Sequence, residues 1–146
     1  MSNELKAIVI GGVLPALLYG VTGILQKMSS EADGGAGMYL VGMGMGTTVV
    51  GTVLHLVLSE PPFSLRPVTL ALIAGLTFSL GAGLVSVALI RYGAAISQLT
   101  PVYNTNVLVT VVLGLVLFAE YRDVNVARLL GGTLLLVSGA VLVASA

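Results

Sequence analysis

Five apolar runs follow one another along the chain, at roughly residues 7–25, 38–58, 68–90, 95–119 and 126–144, separated by short polar interruptions. An α-helix rises about 1.5 Å per residue, so about 20 apolar residues cross a hydrocarbon core about 30 Å thick. Each run is therefore read as one transmembrane helix. The interruptions QKMSSEADGGAG (26–37), SEPPFSLRP (59–67), RYG (91–93) and EYRDVN (120–125) read as links outside the membrane. The second of these holds three prolines in seven residues, which cannot continue a helix. The pattern predicts an all-α integral membrane protein, with residues 1–146 forming a single membrane domain of five helices in the lipid bilayer.

Composition narrows the function classes. Charged residues make up 8% of the chain, against about 25% in an ordinary soluble domain. The basic residues are scattered singly and the formal net charge is zero, so no nucleic-acid partner is expected. The chain has no cysteine, one histidine (His55) and no phosphate-binding glycine loop, so neither a metal centre, an ATPase nor any other enzyme is indicated, and no cofactor is expected. The first apolar run exceeds the usual length of a secretory signal core, which favours a retained helix. With five spans, Lys6, Arg66, Arg122 and Arg128 fall on one side and Lys27 and Arg91 on the other. This bias places the N-terminus in the cytoplasm and the C-terminus outside a cell (inner) membrane, by a margin narrow enough to be compatible with dual topology.

Candidate chemistry concentrates in the fourth span. Its first half carries Gln98, Pro101, Tyr103, Asn104, Thr105, Asn106 and Thr110, groups that are costly against lipid and belong in a protein interior or a solute pathway. Gln98, Pro101, Tyr103, Asn104, Asn106 and Thr110 are the expected pathway residues, with Tyr19 of the first span and His55 of the second added to them. Pro101 should weaken the helix locally. Elsewhere the polar and small residues have a plainer reading. Gly12, Ala16 and Gly20, the pair Gly42 and Gly46, and Gly75, Ser79 and Gly83 are spaced for close helix packing. Thr77, Ser79 and Ser86 are expected to bond back to their own helix. The nearly featureless fifth span suits a lipid-facing or subunit-contacting role. If all the polar groups merely pack helices, the chain is a non-transporting scaffold or subunit.

The run QLTPVYNTN…LGLVLFAEYRDVNVARLLGGTLLLVSGAVLVA resembles the closing part of an EamA repeat of the drug/metabolite transporter superfamily, with Pro101, Glu120, Gly131 and Gly132 at the recurrent positions. The third span, ALIAGLTFSLGAGLVSVALIRYGAA, fits the same pattern. The resemblance implies a single five-helix repeat moving a small-molecule solute by alternating access. Its site would lie at the interface with a second repeat, in a homodimer (antiparallel or parallel) or with a partner repeat. Small four-helix members that exchange cations for protons carry a glutamate in the first helix, where this chain has Pro15, Tyr19 and Thr22. That departure favours a neutral or zwitterionic metabolite, such as an amino acid or sugar, or a drug-like compound. Orientation is directly measurable on this cysteine-free background. Single cysteines at Ser29 and Ala146 should both label fully from outside intact cells with an impermeant thiol reagent. Labelling of each at about half that extent shows dual insertion, and labelling of neither reverses the assignment.

Overall fold

The computed structural model describes residues 2–122 and 124–146, the side chain of Glu4 excepted. The side chain of Glu4, expected just before the first span, and Asp123, expected in the last link, therefore lie outside the description. Among the described residues, five helices are long and apolar enough to cross a membrane: α1 (Leu5–Glu31), α2 (Ala36–Val57), α3 (Leu65–Tyr92), α4 (Ile96–Leu117) and α5 (Val126–Ala144). The all-helical class and the number of spans agree with the hydropathy pattern.

Local chemistry sets the helix boundaries. Ser2 caps the first helix by accepting the Leu5 N–H at 3.2 Å. Within α1, residues Val9–Val13 widen into a π-turn, with the Leu14 N–H reaching the carbonyl of Val9. Pro15 lies just beyond, and its ring needs room on the preceding turn, which Gly11 and Gly12 leave free. Helix α1 then runs on to Glu31, past the expected boundary at Leu25. Gln26 to Glu31 are thus helical rather than part of a loop, and the link shrinks to residues 32–35. The Lys27–Glu31 ion pair at 3.4 Å, one turn apart, belongs to that continued helix. Pro67 falls in the first turn of α3, where a missing N–H costs nothing. Helix α3 ends on Gly93, which adopts a left-handed φ of 60°. Asn125 caps α5 by accepting the Arg128 N–H at 3.0 Å.

The chain divides into two compact units, residues 1–93 and 94–146. In the first, α3 packs against both α1 and α2. Partial or full burial is concentrated at one end of these helices, around residues 22–30, 39–43 and 79–89. Its centre is an amide clamp. Gln26 Nε2 donates to Ser86 Oγ at 2.9 Å and to the Ala82 carbonyl at 3.0 Å. Gln26, Ser86 and Leu89 are buried, and Gly23 is buried one turn before Gln26. Ser86 thus accepts from a neighbouring helix, where a bond back to its own helix was expected; Thr77 alone of the three residues bonds back, to Ile73 and Ala74. Of the glycines expected to pack closely, only Gly83 meets a neighbour, since a methyl group there would lie 3.3 Å from Leu40 Cδ1. Gly12, Gly20, Gly42, Gly46 and Gly75 face open space in the described chain.

In the second unit, α5 packs on the first half of α4. Val126, Leu129, Thr133, Val137 and Ala140 recur every three or four residues and form its covered face. Thr133 is buried, with its hydroxyl bonded to the Leu129 carbonyl at 2.8 Å. The fifth helix therefore has a packing face within the chain, which its uniform hydropathy concealed. The clamp in the first unit yields a test. Gln26→Leu keeps the side-chain volume and removes both interhelical bonds, and should lower stability to denaturation in mixed micelles by about 1 kcal/mol. Unchanged stability would show that the clamp contributes nothing net.

Candidate functional site

Helix α4 is two helices, Ile96–Tyr103 and Asn106–Leu117, with Asn104 and Thr105 between them in a turn. The break has an identifiable cause. Thr105 sends both its N–H and its hydroxyl to the carbonyl of Val102, at 3.1 and 2.7 Å. In a continuous helix that carbonyl would serve the Asn106 N–H, whereas here the Thr105 amide and hydroxyl both occupy it. The next two amides make short three-residue bonds, Val107 to Asn104 and Leu108 to Thr105. Pro101, which has no N–H to offer the carbonyl of Ser97, has already loosened the preceding turn.

The expected pathway residues of this unit take different positions around the break. Pro101 and Asn104, with Thr105 and Val107, line a cavity of about 250 Å³ closed on the other side by Leu136 and Ala140 of α5. Asn106 and Thr110 lie four residues apart on one face of the second half, both exposed. Gln98 is exposed on the first half. The side chains of Gln98, Asn104, Asn106 and Thr110 have no hydrogen-bond partner among the described residues. Tyr103 differs, because its hydroxyl donates to Thr100 Oγ1 at 3.2 Å, and Thr100 in turn bonds to the Ile96 carbonyl at 2.7 Å.

Tyr19 and His55 belong to the first unit. Tyr19 is 73% exposed along α1. His55 sits in the last turn of α2, its Nδ1 3.2 Å from Glu60 Oε2 and its ring stacked 4.8 Å from that of Phe63. Ser59, with a φ of 50°, turns the link back so that these groups meet. The histidine thus joins the end of its helix to the following link. A second, more open cleft of about 350 Å³ lies between α1 and α2, with Thr22, Ser29, Met38 and Tyr39 in its wall. Among the described residues no group of three or more His, Asp or Glu is placed to hold a metal.

Two residues escape the sequence reasoning. Gln26 reads as the start of a loop, although the Lys27 and Glu31 pair at helical spacing signals that the helix continues. Thr105 reads as one more polar group, and no sequence signal distinguishes a threonine that bonds back harmlessly from one that breaks its helix.

The sugar transport protein family matches this chain over residues 9–146. The chain belongs to that family. Membership agrees with five membrane-capable helices and makes the chain part of a family of membrane transporters for small solutes. No curated protein and no solved structure matched the chain.

The origin of the break in α4 is testable by amide exchange in lipid nanodiscs. Thr105→Ala removes the competing hydroxyl, so the Asn106 N–H should hold the Val102 carbonyl more firmly and exchange more slowly, on the order of tenfold. Unchanged exchange at Asn106 would assign the break to Pro101 alone.

Proposed function

We propose that this protein carries a sugar across the cell (inner) membrane by alternating access, pairing with a second five-helix unit so that a solute site forms between them. The observation that carries this reading is the interrupted helix α4, where the side chains of Asn104, Asn106 and Thr110 stand without partners beside the break. An amide offers both donors and an acceptor, and a hydroxyl offers both in one group, which matches the alternating capacity of sugar hydroxyls. Broken membrane helices place such groups at the midplane in transporters built from repeats. Family membership and the resemblance to a single EamA repeat support the same reading.

In this proposal Asn104, Asn106, Thr110 and Gln98 line the pathway and Pro101 with Thr105 forms the hinge. Tyr103 steadies the first half of α4 through Thr100. The glycines at 12, 20, 42, 46 and 75, open in the single chain, leave room for a partner's helices. No carboxylate lies within α2, α3 or α5 as described, which suits a neutral solute better than an organic cation.

The test is uptake into proteoliposomes of radiolabelled D-glucose, D-ribose and L-rhamnose. Asn104→Ala combined with Asn106→Ala removes up to two solute bonds and should reduce the rate at least tenfold, with the protein still folded by size-exclusion elution. Wild-type rates in the double variant would remove these residues from the pathway.

A further inference from the structure

Helix α4 ends at Leu117, and the chain reverses at Ala119, whose φ is 55°. The following short turn, Glu120–Arg122, carries the Glu120 side chain back along the helix it has just left. Its carboxylate comes to rest on Gly114, so closely that a methyl group there would lie 2.9 Å from Oε2. Only glycine leaves this place open. Gly114 follows Asn106 and Thr110 at four-residue spacing, so all three share one face of the helix. An amide, a hydroxyl and a carboxylate thus mark one line, which from Asn106 to Gly114 spans about 12 Å along the axis. Among the described residues none of the three side chains has a hydrogen-bond or ion-pair partner. Arg122, the nearest cation in sequence, lies over the ring of Tyr121, 5.7 Å from its centre.

We infer that Glu120 forms a second sugar subsite at the mouth of the pathway, its two carboxylate oxygens accepting hydrogen bonds from adjacent hydroxyls of the solute. An ionised carboxylate only accepts, so its ligand must donate, and a vicinal diol presents two donors side by side. The helical distance to Asn106 separates this contact from the one beside the break. Glu120 therefore acts on capture at the mouth, while Asn104 and Asn106 act on passage. The inference rests on the sugar reading above.

Uptake of D-glucose, D-ribose and L-rhamnose into proteoliposomes tests it through half-saturation and maximal rate measured separately. Glu120→Gln preserves shape and removes the charge; Gly114→Ala keeps the charge, favours the helix and displaces the carboxylate. Each should raise the half-saturating concentration on the order of tenfold with the maximal rate retained, and the double variant should be no worse than either single one. If the wild type carries one of these sugars and half-saturation is unchanged in both variants, the subsite is wrong and the sugar reading stands. Carriage of none of the three by the wild type overturns the sugar reading and the subsite together.

Discussion

Inside a bilayer there is no water to complete a hydrogen bond, so every polar group must find its partner within protein or solute. That constraint sorts the polar residues of this chain. Nine of the ten threonines, Thr110 excepted, return their hydroxyl to a carbonyl three or four residues earlier. Such a threonine is nearly apolar to its surroundings, and its presence says little about function. Thr77 shows the limit of this economy, with one hydroxyl close to two carbonyls of the preceding turn. Beyond these threonines two features stand out: one amide shared between helices in the first unit, and a group of unpartnered side chains on α4.

The shared amide has the character of structure. Between helices in lipid the hydrophobic effect gives little preference for association, so close approach and interhelical hydrogen bonds carry it. Gln26 supplies the bonds, and Gly83 supplies the approach by leaving space for Leu40. Both lie at the end of the unit where burial is found, and Ser86 ties the two features to one stretch of α3. The groups on α4 have the opposite character. They occur where the helix itself is incomplete, and they are exposed. A chain that satisfies nine of its ten threonines within one turn leaves Thr110 and two asparagines unsatisfied in the same short segment. Under the proposed function that concentration is the solute pathway.

Hydropathy is enough to read the architecture, because twenty apolar residues in a row admit few alternatives. It locates the polar segment of α4 for the same reason. The finer features depend on competition between nearly equal bonds, which composition does not express. The end of α1 lies beyond its expected boundary because Gln26 and Lys27 look like the start of a loop when scored singly, whereas their burial and pairing depend on α3 and on Glu31. Glycine spacing marks Gly42 and Gly46 as well as Gly83 for contact, yet in the described chain only Gly83 of the three meets a neighbour, since spacing gives the possibility of contact without naming the partner. The covered face of α5 is invisible in the sequence because every position on that helix beyond its first turn is apolar or small, whichever way it points. The reversal at Ala119, which sets Glu120 against Gly114, depends on one left-handed residue that is not glycine and so gives no signal.

The two irregular helices also differ in kind. At Pro15 the irregularity is covalent: the missing N–H and the bulk of the ring hold the π-turn in α1 whatever else binds or moves. At Thr105 it consists of hydrogen bonds. The Val102 carbonyl accepts from the Thr105 amide and hydroxyl, which compete there with the Asn106 amide of the next residue. Rotating the Thr105 side chain and closing the turn would exchange one bond for another and join the two halves into a continuous helix, at small net cost. An element with two arrangements of similar energy is what a ligand can bias, because even modest differential binding then moves the population. The asparagines lie on both sides of that exchange, so a solute bound to Asn104 and Asn106 would register the state of the helix directly.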